Sequence, residues 1–189
     1  MHMSTREYVK NLIKDRNIAS ITPTSKKGVE EICSRMDLSN PVTIIEYGPA
    51  TGVFTNYLLE RITVDSKIIA IELNKNFADY LKKNTKDERL LVHHDHAGNV
   101  EQILDFHQAG PADYVISGIP FSLLDASDRD DIIRKTSEVL KPWGKFLPYQ
   151  TFFQKDEHLK LYLEKYFSVV KDNYFLRNFP PMRVYEAIK

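Results

Sequence analysis

A chain of 189 residues, 42% hydrophobic and 28% charged, has the makeup of one soluble globular unit that buries its own core. Lys plus Arg and Asp plus Glu stand at 26 each, a balance that argues against a broad nucleic-acid binder, which carries a basic excess. Cys33 is the single cysteine and no apolar run reaches the length of a membrane span, so an internal disulfide is excluded and a reducing, cytoplasmic setting is expected.

The first 29 residues depart from that balance. They hold six Lys or Arg against two acids, a net +4 that leaves −4 for the remainder. Tyr8, Val9, Leu12 and Ile13 share one helical arc, with Arg6, Lys10 and Lys14 beside it. Pro23, in Ser20-Ile-Thr-Pro-Thr-Ser25, stops this helix, and a second is expected from Lys26 to Met36. Residues 1–40 therefore read as a helical lid on a single domain spanning 1–189. Two roles compete for the first helix: covering the sheet edge, or peripheral contact with an anionic membrane at its inner face. Each Lys or Arg near such a surface contributes about 1 kcal/mol.

From residue 41 onward, short β-rich runs alternate with helical patterns. The expected strands are Val42–Tyr47, Lys67–Glu72, Leu90–His93, Tyr114–Ser117, Lys145–Tyr149, Ser168–Phe175 and Arg183–Ile188. The expected helices cover 53–62, 75–84, 98–107, 127–140 and 155–166. Such alternation implies an α/β fold, a parallel sheet with helices on both faces. Right-handed crossovers then bring the loops after the strands to one edge, where ligands bind. The link Leu176-Arg-Asn-Phe-Pro-Pro-Met182 is too short for a crossover, so the last two strands must be antiparallel. A seven-stranded, mostly parallel sheet with an antiparallel last strand is the architecture of Rossmann-like methyltransferases.

Thr43-Ile-Ile-Glu-Tyr-Gly-Pro-Ala-Thr-Gly-Val-Phe-Thr55 is the most specific signal. A buried strand enters a small-residue turn where Gly48 and Gly52 let the backbone pass close to a ligand. The Gly-x-Gly-x-x-Gly spacing of dinucleotide sites is absent, and Glu46 before the turn suits a cation rather than a pyrophosphate. S-adenosylmethionine carries two positive groups. Glu72 ends the second strand, where an acid accepts from ribose hydroxyls, with Leu73 beside it. Asp95 follows the third strand and is placed to accept from an adenine amine, with His96 or Ala97 supplying backbone. Three acids in order at successive strand ends point to S-adenosylmethionine as cofactor.

These segments, with Ala70-Ile-Glu-Leu-Asn74 and Ser117-Gly-Ile-Pro-Phe-Ser122, resemble the bacterial phospholipid N-methyltransferases. Ser20-Ile-Thr-Pro-Thr-Ser25 and Asn178-Phe-Pro-Pro-Met-Arg-Val-Tyr185 resemble that family's flanking motifs, so the likeness runs over nearly the whole chain. Ala50 departs from it, standing where many relatives have Gly; Ala costs little there if its φ is negative. The related ribosomal RNA adenine dimethyltransferases share the glycine turn but end the fourth strand in a motif like Gly-Asn-Leu-Pro-Tyr. Gly118 stands here in place of that Asn.

The difference is chemical. An adenine amine is conjugated with its ring and needs an acceptor to draw density back to nitrogen. Gly118 offers no side chain for that, although Phe121 supplies an aromatic at the stacking position. An aliphatic amine needs only to lose a proton and to be aligned. The expected acceptor is therefore an amine lipid or a small amine, in a pocket walled by Ser117, Gly118, Ile119, Pro120 and Phe121 with Tyr149. Nucleic acid is disfavoured as a partner. Arg183 is a candidate for a phosphodiester, Tyr185 and Tyr8 for orienting or covering the substrate. The alternatives are an RNA adenine methyltransferase and a cofactor-binding module without turnover. No metal is expected: strand alternation sends neighbours in His93-His-Asp-His96 to opposite faces.

Overall fold

Isoleucine-rich runs form the middle of the sheet. Strands β1 (Thr43–Tyr47) and β2 (Lys67–Glu72) are buried at every position after the first, as expected of parallel strands covered on both faces. They pair in parallel, with Ile44 opposite Ile68. In the computed structural model, which describes residues 24–151, 158–178 and 181–189, seven strands run in the order β3-β2-β1-β4-β5-β7-β6. Here β3 is Leu90–His94, β4 Ala112–Ser117, β5 Leu140–Thr151, β6 Val169–Phe175 and β7 Met182–Ile188. Strand β7 is antiparallel to both neighbours, and β1 to β5 pair in parallel, as the sequence requires. Tyr8, the basic first helix, Phe179 and Pro180 lie outside the described residues.

The helices are α1 (Lys26–Cys33), α2 (Val53–Leu59), α3 (Lys75–Asn84), α4 (Val100–Phe106), α5 (Ala126–Val139) and α6 (Leu159–Tyr166). Side-chain caps start three of them: Ser25 accepts from Gly28, Asn74 from Asn76 and Phe77, and Asp125 from Asp128. Two apolar layers sandwich the sheet. Ile103, Ile132, Ile133 and Leu163 of α4 to α6 cover one face, and Val29, Ile32, Phe54 and Leu58 of α1 and α2 cover the other. Among the described residues, no helix is long and apolar enough to cross a membrane.

Several boundaries differ from the sequence expectation: α1 ends at Cys33 rather than Met36, β4 begins at Ala112 rather than Tyr114, and two further shifts have local settings. Helix α2 stops at Leu59 rather than 62; Arg89 donates to its last carbonyl, Leu59 O, at 2.8 Å and to Ile62 O in the turn that follows at 2.8 Å. Strand β5 begins at Leu140, directly at the end of α5, rather than at Lys145. Pro142 and Trp143 sit in an irregularity where the pairing with β4 shifts, and Trp143 has φ 67. Pro142, Trp143 and Gly144 thus form a bulge inside one long strand.

Candidate active site

The turn after β1 is drawn tight against the end of β2. Gly48 donates its N–H to Ile71 O at 2.9 Å and has φ 68; Gly52, with φ 81, opens α2. A Cβ at Gly52 would come within 2.5 Å of Leu81 Cδ1, so space as well as conformation selects glycine there. Ala50 also has positive φ, at 48. The condition under which Ala was expected to cost little is therefore not met, and this residue holds a left-handed conformation that strains any side chain.

The two buried acids beneath this turn are held differently. Glu72 Oε2 accepts from Ala50 N at 3.0 Å and Oε1 from Asn74 N at 2.8 Å, so one carboxylate ties the glycine turn to the end of β2. Burial raises its pKa against the lowering by these two amides. Glu46, 3% exposed, accepts from the Thr55 hydroxyl at 2.6 Å. Burial pushes its pKa from 4.5 up to about 7, Thr55 lowers it, and the Glu72 charge adds to the rise. Asp95 donates its backbone N–H to Glu72 O at 3.1 Å, and its carboxylate accepts from His96 N and Asn99 Nδ2, both at 2.7 Å. Gly48, Glu72 with Leu73, and Asp95 with His96 thus share the edge formed by the ends of β1, β2 and β3.

Ser117 and Gly118 end β4 on the same edge. Gly118 donates to Tyr47 O at 3.2 Å, and the buried Ser117 hydroxyl accepts from Ile119 N at 3.3 Å. Gly118, Ile119 and Pro120 are half-buried, and Ile119 lies over Gly48, linking the two turns. Tyr149, near the end of β5, closes this end: a Cβ built on Gly118 would stand 2.5 Å from its hydroxyl oxygen. The Tyr149 ring stacks on Phe54 at 5.1 Å between centroids, and its hydroxyl is hydrogen-bonded to Thr24. Burial raises the Tyr149 pKa, so the phenol stays neutral.

Three sequence candidates fall elsewhere. Phe121 is fully buried and packs edge-on against Phe146, because the single 3-10 turn at 121–123 rotates it into the core; it is not placed to stack on a substrate. Tyr185 lies in the same core layer with no exposed surface. Arg183 donates Nε and Nη2 to Asp172 Oδ2 at 2.9 and 2.7 Å, and its guanidinium covers the Tyr185 ring at 4.8 Å. In β7, Val184 is the partner of Tyr149, so alternation puts Arg183 and Tyr185 on the other face of the sheet. Four residues absent from the sequence expectation belong to the site: Asn74, Thr55, Thr24 and the Asn178 side chain. Asn74 had a legible signal, since an Asn between a strand and a helical run marks an N-cap. The others are brought in only by the fold.

The cradle fits S-adenosylmethionine. Glu46 is a buried carboxylate of a kind that a cationic ligand would keep ionised. Asn74 is 7% exposed and uses Oδ1 to cap α3, while its Nδ2 meets no acceptor among the described residues. A donor beside the Glu72 acceptor matches a ribose or adenine edge. Among the described residues, no group of three metal-ligating side chains converges.

Residues 44–144, just over half of the chain, match the methyltransferase domain family, and the chain belongs to that family. It is similar to an ornithine lipid N-methyltransferase of Singulisphaera acidiphila, with 26% identity over 176 residues covering 89% of this chain and 86% of that protein. It is 35% identical over 82 residues to ribosomal RNA small subunit methyltransferase A of Mesomycoplasma hyopneumoniae, which covers 43% of this chain and only 26% of that one. Its fold matches the 1,6-didemethyltoxoflavin-N1-methyltransferase of Burkholderia thailandensis, solved with S-adenosylhomocysteine, with a TM-score of 0.69 over 97% of this chain and 86% of that one at 14% identity. Cradle and family together make this chain an S-adenosylmethionine-dependent methyltransferase.

Proposed function

We propose that this methyltransferase acts on the nitrogen of a saturated amine carried by a lipid head group, of the ornithine lipid or phosphatidylethanolamine kind. The observation that carries the reading is the end of β4. Position 118 has no side chain, and Tyr149 fills the place one would take, so no carboxamide can stand there to activate a conjugated amine. The extent of the similarities supports the same side: the lipid enzyme is matched over 86% of its length, the ribosomal RNA enzyme over 26%.

S-adenosylmethionine supplies an electrophilic methyl group. The protein's own tasks are then to hold the donor, to bring the amine in line, and to favour its neutral form. An alkylamine of pKa about 10 must lose a proton to water before it attacks, which costs roughly 4 kcal/mol at pH 7. The half-buried wall of Gly118, Ile119 and Pro120 lowers that cost, because an apolar surrounding disfavours the ammonium. Glu46, Glu72 and Asp95 hold the donor side, and Ser117 fixes the turn that separates donor from acceptor. Residues 1–40 serve as the lid of this single domain in the same reading, and the basic segment within them approaches an anionic membrane from the cytoplasmic side.

The test offers methyl-labelled S-adenosylmethionine and purified protein to three acceptors: micellar ornithine lipid, micellar phosphatidylethanolamine, and ribosomal RNA. Label in either lipid and none in RNA is expected. Label in RNA alone overturns the reading.

A further inference from the structure

Four segments far apart in the chain meet over the end of β4, and none of them is explained by cofactor binding. Gly118 leaves its side-chain space to the Tyr149 hydroxyl, whose oxygen would lie 2.5 Å from a Cβ there and whose ring carbon Cζ would lie 3.0 Å away. The Tyr149 hydroxyl is hydrogen-bonded to the Thr24 side chain. The residue after it, Ser25, donates its N–H to Asn178 Oδ1 at 3.0 Å. Gly28 lets α1 approach this joint, since a Cβ there would stand 2.8 Å from Thr24 Cγ2 and 3.0 Å from Asn178 Oδ1. The start of α1, the loop after β6 and the ends of β4 and β5 are therefore one connected assembly.

We infer that the Tyr149 hydroxyl takes over the work of the missing side chain at position 118: its oxygen accepts an N–H of the substrate amine, with Thr24 as the residue that orients it. This deepens the lipid-amine reading and rests on it. The reasoning is one of donors and acceptors. A neutral amine about to be methylated points its lone pair at the methyl group and needs acceptors for its N–H bonds. Tyr149 stays a neutral phenol, with one proton and two lone pairs. The Thr24 hydroxyl donates to this oxygen, since their hydrogen bond draws the phenol's pKa down, and the second lone pair is left for the substrate. The hydroxyl is anchored at the end of β4, where the acceptor must come. Asn178, holding Ser25, keeps Thr24 in register and is a positioning residue, as Thr24 is. Ring stacking on Phe54 fixes the plane of the phenol, so the oxygen is aimed by packing and by hydrogen bonding together.

The same geometry explains why glycine stands at 118. Adding even a methyl group there displaces the hydroxyl, so side chains at 118 and 149 are alternatives rather than partners. A chain can hold the acceptor from β4 itself or from β5, not from both.

The experiment uses the full chain, micellar ornithine lipid as acceptor, and calorimetric titration with S-adenosylhomocysteine to read the donor side separately. Tyr149→Phe is expected to lower kcat at least tenfold while the affinity for S-adenosylhomocysteine stays within twofold. Thr24→Val is expected to lower kcat several-fold in the same pattern, and Thr24→Ser, which keeps the hydroxyl, to restore it. Gly118→Ala is expected to be as damaging as Tyr149→Phe alone, yet to add less in the Tyr149→Phe background, where the oxygen at 2.5 Å is gone and only the ring carbon at 3.0 Å is left to meet it. Wild-type kcat in Tyr149→Phe, or equal losses in Thr24→Val and Thr24→Ser, overturns the inference. Should Tyr149→Phe fail to fold, shown by its melting curve, the Thr24 pair decides alone. Failure of the underlying reading looks different: the unmutated enzyme then leaves the lipid unlabelled.

Discussion

The donor cradle and the acceptor end lie on one sheet edge but are built in opposite ways. In the cradle, each acid is held at a strand end by groups of the turns and helix starts beside it: Glu72 by Ala50 N and Asn74 N, Asp95 by His96 N and Asn99 Nδ2, Glu46 by Thr55. Most of these partners are main-chain amides, which any sequence supplies once the strand ends and turns are in place. At the acceptor end the contacts join segments far apart in the chain: the Tyr149 hydroxyl fills the side-chain space of Gly118 and bonds to the Thr24 side chain, and Asn178 Oδ1 accepts from Ser25 N. The difference teaches where specificity can change. A replacement in the cradle leaves its main-chain amides in place and acts on the donor side, while one at the acceptor end rearranges parts that define one another. Donor and acceptor functions should therefore separate cleanly under mutation.

The largest separation is expected at Glu72. Glu72→Ala orphans two amides and removes the acid that faces the donor, so the affinity for S-adenosylhomocysteine should fall about 100-fold or more by calorimetry. An unchanged affinity would break the assignment of the cradle.

Glu46 tests the cradle through pH. Its folded pKa, about 7, lies above the ordinary 4.5, so between those values the folded protein holds a proton that the unfolded chain has lost. This contribution therefore makes the donor-free protein less stable as pH rises through that window, by up to roughly 3 kcal/mol. Above pH 7 the penalty is complete. Glu46→Gln removes it, so at pH 8 the variant should melt higher than the parent, with the gap closing near pH 5. The same change should weaken S-adenosylhomocysteine binding. The parent's binding should weaken below pH 7 if Glu46 has the role proposed for it, because protonation removes its charge. A variant both less stable at pH 8 and unaltered in binding would contradict the role.

Arg183 sharpens the boundary of the acceptor end. Its guanidinium is matched by Asp172 on the adjacent strand, in a pair 19% and 15% exposed. Arg183→Ala should cost about 2 kcal/mol of stability in denaturant melts and leave the KM for the lipid acceptor within twofold. A tenfold rise in that KM would return Arg183 to the substrate site. Ala50→Gly is the smallest change. Relief of positive φ gains about 1 kcal/mol, and the added freedom of the unfolded chain offsets part of it, for a net rise below 1 kcal/mol in chemical melts.

The same division decides what could be read from the sequence. Gly48, Glu72 and Asp95 stand at or just after the ends of β-rich runs that read as strands, and a strand end fixes the place of its next residue. The antiparallel pairing of the last two strands follows from the short link before β7. Side-chain direction at long range does not follow. Nothing in the sequence says that Phe121 turns into the core, which a single 3-10 turn decides, or that Tyr149 reaches over Gly118. Thr24 and Asn178 belong to segments noticed as motifs, but their meeting exists only in three dimensions. Asp172 is a case between these: the hairpin register opposes it to Tyr185 and opposes Tyr174 to Arg183, so Asp172 and Arg183 are diagonal neighbours whose side chains still have to turn toward each other.

The central claim is that the acceptor is a saturated amine that sheds its proton before attack, with no ionised base assigned to take it. The dependence of kcat/KM on pH for micellar ornithine lipid, measured from pH 7 to 10 at saturating S-adenosylmethionine, tests it most directly. The expected profile rises about tenfold per pH unit and levels near the pKa of the free amine, about 10. A profile flat across that range would contradict the account, because it would mean that the reacting nitrogen carries no proton to lose or that the protein holds a base to take it.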